Sequence, residues 1–305
     1  MQPRRHPLDW FFVLRPTLLF PVCTVFLAGV GFHGTRFSYI EWSIFVICSI
    51  AMGGSVYLLN EVKDIPNDVA NQKNLFLPQQ IFTPITIKRF ALVLAIFGLS
   101  GLAFIGKSSF AIIAFGFLIT GVLYNFPPFR WKDKPLPSLF VAMLAGFLIF
   151  AAGSLMNQNG LLDLIRGVPY LFAFAGVSLW TQIPDETGDR DSGKNTFCVI
   201  YGKRTTAFSG WLFVVAAACF ALLLVEWVLF VSAMVTLVVA IPLLKELNAE
   251  RAGFSARIAI VVLSFLIGCC YPLYLVTIIV YYFVARRYYQ LRFAIVYPSI
   301  SGNKW

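Results

Sequence analysis

The sequence predicts an all-α, polytopic membrane protein with about nine transmembrane helices. Three observations carry that prediction. Apolar residues make up 59% of the 305 positions and charged residues only 12%, about half the charged share of a typical soluble domain. Apolar runs of about twenty residues follow one another along the chain, each long enough to cross the hydrocarbon core of a bilayer. The runs are continuous rather than alternating with polar residues, which disfavours a β-barrel. Little chain is left between them, so residues 1–305 read as a single membrane-embedded domain with no separate soluble part.

The expected spans lie near 11–31, 39–59, 89–106, 108–125, 138–156, 168–184, 206–226, 227–244 and 257–285. The first follows Arg4 and Arg5. Its apolar part is too long for a signal-peptide core and has no clear small-residue cleavage site, so it reads as a retained span. The second ends abruptly in "LLNEVKDIPNDVANQKN" and the sixth in "WTQIPDETGDRDSGK". The fourth runs into "LYNFPPFRWKDKP". The seventh and eighth meet at Glu226 and Trp227, and Pro272 marks an expected kink in the ninth.

Seventeen of the 24 lysines and arginines fall at the N-terminus or in the even-numbered loops. The other seven are Arg36, Lys107, Arg166 and four near the C-terminus: Arg286, Arg287, Arg292 and Lys304. Positive charge gathers on the cytoplasmic side of membrane proteins. The expectation is an integral membrane protein of a bacterial-type inner membrane, with its polar loops cytoplasmic and the C-terminal tail an exception. The net charge of +10 is assigned to this rule and to anionic lipid and substrate, not to nucleic acid. The six cysteines sit mostly in apolar runs without CxxC spacing and read as buried free thiols.

The chain has only 14 acidic residues, yet it gathers seven of them at two span ends on one side. Asn60, Asp64 and Asp68 are spaced i, i+4, i+8, which puts three oxygen-bearing side chains on one helix face. Pro66 interrupts that stretch and disfavours helix just before it. Asp185 and Asp189 repeat the i, i+4 spacing, whereas Glu186 and Asp191 fall off that face and read as solvated. Carboxylates beside a bilayer are costly unless used, and oxygen ligands suit a hard divalent cation such as Mg²⁺ that bridges to phosphate. With no metal present, the two sets of carboxylates are expected to repel one another.

Tyr124, Arg130 and Lys132 in the central loop, with Lys73 and Lys194 after the acidic motifs, supply cations for phosphate oxygens. Lys134, Lys203 and Arg204 read as ordinary loop charges. The only histidines, His6 and His33, lie far along the chain from both acidic motifs, against a His-based zinc site or a Ser-His-Asp hydrolase. A nucleotide-driven pump is not expected.

At these residues the chain resembles the UbiA superfamily of intramembrane prenyltransferases. "NEVKDIPND" is similar to that family's NDxxDxxxD motif, "DETGD" to its DxxxD motif, and "LYNFPPFRWKDKP" to its tyrosine–Pro-Pro–basic loop. "LRPTLLFP" is similar to its Arg-Pro start and brings in Arg15. Glu61 departs from the usual Asp, and Asn125 stands where many members have Ser. The resemblance implies helices around a central apolar cavity. It implies Mg²⁺ on Asn60, Asp64, Asp68, Asp185 and Asp189, with Asp64, Asp185 and Asp189 catalytic. Asn60, Tyr124, Arg130, Lys132, Lys194 and Arg15 would bind substrate. The implied partners are an isoprenyl diphosphate, a lipophilic or aromatic acceptor and membrane lipid; the reaction releases pyrophosphate. A membrane transporter and a non-catalytic lipid-diphosphate-binding protein are the alternatives. Polar clusters at span ends, rather than midway along them, favour the enzyme.

Overall fold

A computed structural model describes residues 5–31, 38–70, 75–105, 107–156 and 160–299. Among these residues the chain is helical throughout, with no strand. After the short α1 (Asp9–Phe12), the long elements are α2 (Pro16–Val30), α3 (Tyr39–Ala70), α4 (Pro84–Ile105), α5 (Lys107–Phe117) and α6 (Pro135–Met156). A four-residue α7 (Leu161–Leu164) precedes α8 (Val168–Asp191), α9 (Phe197–Leu223), α10 (Trp227–Lys245), α11 (Ala249–Cys270) and α12 (Pro272–Phe293). A π-helical turn (Leu118–Leu123) continues α5, and a 3₁₀ turn (Trp131–Asp133) precedes α6. Among the described residues, six helices are long and apolar enough to cross a membrane: the parts of α3 and α4 spanning Ser43–Pro66 and Pro84–Phe104, together with α6, α9, α10 and α11. This is an integral membrane protein, as its composition requires.

Two sequence expectations change. Helix α3 does not stop at 59 but runs to Ala70 through Pro66. Proline removes one N–H and so leaves the Val62 carbonyl without its usual partner, but the helix continues, and Asn60, Asp64 and Asp68 stay on one face. The ninth run divides instead of kinking. Tyr271 takes a non-helical conformation (φ −125°, ψ 79°), and Pro272 starts a separate helix, α12.

Helix α12 folds back antiparallel along α2, held by tyrosines at heptad spacing. The Tyr274 hydroxyl donates to the Phe20 carbonyl (2.8 Å) and lies 2.6 Å from Thr24 Oγ1. Tyr281 meets Thr17 Oγ1 at 3.0 Å, and Tyr288 donates to Asp9 Oδ1 at 2.5 Å. At one end Tyr271 bonds the Leu27 and Gly31 carbonyls; at the other Arg292 forks onto both oxygens of Asp9 (3.1 and 3.0 Å). A phenol that buries its ring and donates its proton suits an apolar interface. The fold-back carries Arg286, Arg287 and Arg292 to the same end as the N-terminus, so within the described residues the basic tail is no exception to the charge pattern.

Helix α2 also crosses α6 at close range. A Cβ on Gly29 would stand 2.0 Å from the Phe150 carbonyl oxygen, and one on Gly153 would stand 2.1 Å from that of Phe26. Only glycine permits backbones to approach this closely, a packing mode common between membrane helices. The polar ends of α3, α8 and the loop before α6 converge at the end of the bundle where α1 sits. Arg5 Nε, which donates to the Ile81 carbonyl (3.0 Å), ties the α3–α4 connection to that end as well.

Asp9 is fully buried. Burial pushes its carboxyl up, but the His6 N–H, Tyr288 and Arg292 more than offset this and hold it below its ordinary value. Its stabilisation is therefore complete above the ordinary carboxylate range and is lost as pH falls through the lowered folded value. Asp9→Ala should lower stability by about 3 kcal/mol, as expected when one partner of a buried ion pair is removed. Thermal unfolding in detergent checks this; an unchanged midpoint would mean that α12 is held by other contacts.

Candidate active site

The site is built around one carboxylate. Asp64 Oδ1 on α3 accepts from Lys132 Nζ and from Lys194 Nζ, each at 2.8 Å. Lys132 also reaches Asn60 Oδ1 at 3.3 Å. Lys194 stands 3.9 Å from Asp189 Oδ1. The first acidic motif, the central loop and the second acidic motif therefore meet through two ammonium groups. Asp189 is buried, and Asp185, half-buried, lies one turn earlier on α8. Lys194 occupies the place of a bridging cation between the two motifs.

The carboxylates therefore do not face one another unneutralised, and the expected repulsion between them is replaced by lysine bridges. Burial lowers the basicity of Lys132, and its carboxylate neighbours only partly restore it. Burial acts on Lys194 in the same sense, but Asp64 outweighs it and leaves Lys194 above its ordinary value. The two lysines share one oxygen yet shift oppositely. The sign fits their exposure: the Lys132 side chain is 5% exposed and that of Lys194 16%.

A second ion cluster adjoins the first. Arg15 pairs with Glu61: a terminal nitrogen donates to Oε1 at 2.9 Å, Nε stands 2.7 Å from Oε2 outside hydrogen-bond geometry, and the guanidinium lies 3.8 Å from Asp68. Glu61 and Asp68 are buried. The Glu61 and Asp68 carboxylates offset the cost of burying the charge on Arg15. The guanidinium is thus engaged with α3 rather than open to solvent.

The other expected residues divide. Tyr124, half-buried at the end of the π-helical turn, lies with its hydroxyl 3.4 Å from Ser138 Oγ. Arg130 points outward, 56% exposed, and pairs with Asp133 at 2.7 Å, so the loop does not bring it to Asp64. Lys73 and His33 lie outside the described residues. Asp191 is exposed as expected, but Glu186 is buried and pairs with Arg190 and Lys203. Helical-face reasoning placed Glu186 away from Asp185 correctly, but could not foresee that α9 covers that side. The Arg15–Glu61 pair was missed because its partners are 46 positions apart; a Glu beside the Asn-Asp face was the available signal. Asn125 is fully buried; its place directly after an apolar run was the only hint.

Two strings, "GVGFHG" (29–34) and "GLAFIGKS" (101–108), match glycine patterns of nucleotide loops. Such loops follow a strand. Gly101 instead lies within α4, where an added Cβ would strike the Cys48 sulfur at 2.2 Å. Gly106 and residues 32–34 fall outside the described residues.

Next to the polar cluster is an apolar cavity of about 310 Å³, lined by α2, α3, α5 with its π-helical turn, α6 and Phe174 of α8. On α3 its lining includes Phe45, Ser49, Gly53, Val56 and Tyr57. These positions continue at helical spacing into Asn60 and Asp64, so one face of one helix is oily for four turns and then polar. Among the described residues, no three His, Cys, Asp or Glu side chains stand together as a ready-made metal site, because lysine amines lie between the acidic groups.

Fold and site together define a polytopic helical membrane protein with a lysine–carboxylate cluster beside an apolar cavity. Residues 18–251 match the model of the UbiA prenyltransferase family. A digeranylgeranylglyceryl phosphate synthase of Methanospirillum hungatei JF-1 is 25% identical over 232 residues, 74% of this chain and 80% of that protein. A UbiA homologue of Archaeoglobus fulgidus, solved bound to DMAPP and Mg²⁺, superposes with a TM-score of 0.69 at 15% identity, covering 85% of this chain and 99% of that one. A structure described as a digeranylgeranylglyceryl phosphate synthase gives 0.63 at 20% identity, covering 86% and 98%. The chain belongs to the UbiA prenyltransferase family and is a membrane prenyltransferase.

Asp64→Asn should cut transfer by about a hundredfold or more, since a charged contact at the reacting end is lost. It should also lower thermal stability, because buried Lys132 then loses its charged partner. Asp191→Asn should be close to wild type on both measures. Near-normal transfer by Asp64→Asn, or greater damage from Asp191→Asn, would remove Asp64 from the centre of the site.

Proposed function

We propose that this prenyltransferase takes the isoprenyl group of an isoprenyl diphosphate and joins it to a lipophilic acceptor, with a divalent cation, Mg²⁺, at the diphosphate. The observation that carries the reading is the continuity of one α3 face from apolar cavity to Asp64 and its two lysines. A prenyl diphosphate has that same division, an oily chain ending in a concentrated negative charge.

The donor set is entirely oxygen: Asn60, Asp64, Asp68, Asp185 and Asp189. It fits a hard cation, and a cationic group already sits between the two motifs as Lys194. When bound, the cation neutralises diphosphate charge. Lys132 and Lys194 donate to the diphosphate oxygens and exchange one anionic partner for another. They stabilise the negative charge that grows as the C1–O bond breaks and its electron pair leaves with pyrophosphate. The apolar walls hold the chain and keep water from the allylic cation. The acceptor attacks C1 and loses a proton. An acceptor of the glyceryl phosphate ether class is favoured over an aromatic ring, supported by the name of the Methanospirillum relative and by the basic groups at the cavity mouth.

The test is incubation of membranes holding the protein with labelled isoprenyl diphosphates of increasing length, supplied with a glyceryl phosphate ether or an aromatic acceptor. Product should form with the former, cease in EDTA and return with Mg²⁺. Gly116 faces the cavity, and a Cβ there would meet only Leu148 Cδ1 at 3.8 Å. Gly116→Leu should therefore cost longer donors at least about tenfold relative to the shortest, by filling space that longer chains need. Full turnover in EDTA, or no length dependence, would overturn the reading.

The polar end is assigned to the cytoplasm from the charge pattern, which the fold-back of α12 supports. Single cysteines at Lys63 and Asp191, in a background without reactive thiols, should both be labelled from the cytoplasmic side only; labelling from opposite sides would refute the assignment.

A further inference from the structure

The π-helical turn leaves two carbonyls without main-chain partners. In an α-helix the Thr120 and Gly121 carbonyls would accept from the N–H groups of Tyr124 and Asn125. Here the Tyr124 N–H goes to Ile119 (2.9 Å), while those of Asn125 (3.2 Å) and Phe126 (2.9 Å) both go to Val122. The Asn125 side chain supplies what is missing. Its Nδ2 donates to the Thr120 carbonyl at 3.3 Å and to the Gly121 carbonyl at 3.1 Å. An amide nitrogen carries two hydrogens, and here two carbonyls need them. The Asn125 Oδ1, by contrast, has no partner among the described residues. Donor count, not acceptor capacity, is what this side chain contributes. π-Turns inside α-helices are uncommon and tend to occur at functional sites.

The turn connects both halves of the site. Thr120 lines the apolar cavity. Tyr124 follows the turn, and its carbonyl accepts from the Lys132 N–H at 3.1 Å, closing the central loop onto the turn. That closure aims the buried Lys132 amine at Asp64 and Asn60. A shift at residues 120–124 therefore moves the cavity wall and the diphosphate-facing lysine together.

We propose that Asn125 is a positioning residue for prenyl transfer, holding the π-helical turn with its two amide hydrogens so that Lys132 is presented to Asp64. This rests on the proposed reaction, in which Lys132 contacts the diphosphate. Asn125 itself touches no reacting atom.

Thr and Val separate hydrogen bonding from packing, since they share a shape and differ by one hydroxyl donor. Prenyl transfer per folded protein, by kcat/KM for the isoprenyl diphosphate, should fall about tenfold in Asn125→Thr and about a hundredfold in Asn125→Val. If Asn125 acts through Lys132, the difference between Thr and Val should shrink to less than about twofold in a Lys132→Met background. A merely structural role predicts equal losses for Thr and Val, or the same tenfold gap in both backgrounds; either result overturns the proposal. If the Val variant does not fold, Asn125→Thr compared across the two backgrounds decides alone: a loss that persists undiminished beside Lys132→Met refutes positioning. Inactivity of the wild-type protein with every isoprenyl diphosphate would instead refute the proposed reaction, so the two failures are distinguishable.

Discussion

Asp64 sits at the end of a mostly apolar helix and holds two ammonium groups on a single oxygen. A charge in that position is unfavourable unless neutralised, and here its partners come from the central loop and from the stretch after α8. Once α3 places its carboxylate, Lys132 and Lys194 have one position that relieves all three charges, and the segments that carry them follow. The site and the fold of its end of the bundle thus have the same cause.

In the proposed reaction the same balance lets the cluster receive a diphosphate. Lysines paired with carboxylates exchange anions at low net cost, because a diphosphate offers them what Asp64 offers. A buried lysine with no partner would instead lose its proton or unfold its surroundings. The Arg15–Glu61 pair is of another kind. It combines one charge-assisted hydrogen bond with a close ion-pair contact and is buried on the Glu61 side. It joins the α1–α2 corner to α3 beside the lysine cluster.

Helix α12 extends this logic along α2. Its tyrosines bury aromatic surface along α2 and find a hydroxyl, carbonyl or carboxylate at each turn of contact. The last of them, Tyr288, reaches Asp9 together with Arg292. The family match ends at residue 251, so this helix lies beyond it, yet it packs against the α1–α2 segment that leads directly to Arg15.

By itself the sequence determined the helical membrane architecture, because continuous apolar runs of bilayer length admit few other solutions. Both acidic motifs and the basic loop are legible in it too, since side chains four apart share a helix face whatever surrounds them, and Asn60, Asp64 and Lys132 come together in the structure. Only the tertiary structure decided which charges pair. Lys194 bridging Asp64 and Asp189, Glu61 gripping Arg15, Glu186 covered by α9 and Arg130 turned outward all depend on helices distant in sequence. The division of the last apolar run was signalled by Pro272 but not settled by it, because a proline allows either a kink or a break. The antiparallel return of α12 required its tyrosines to find partners on α2. Local periodicity encodes which face a residue occupies; which neighbour that face meets is set by packing among segments up to 283 positions apart, and no local pattern records it.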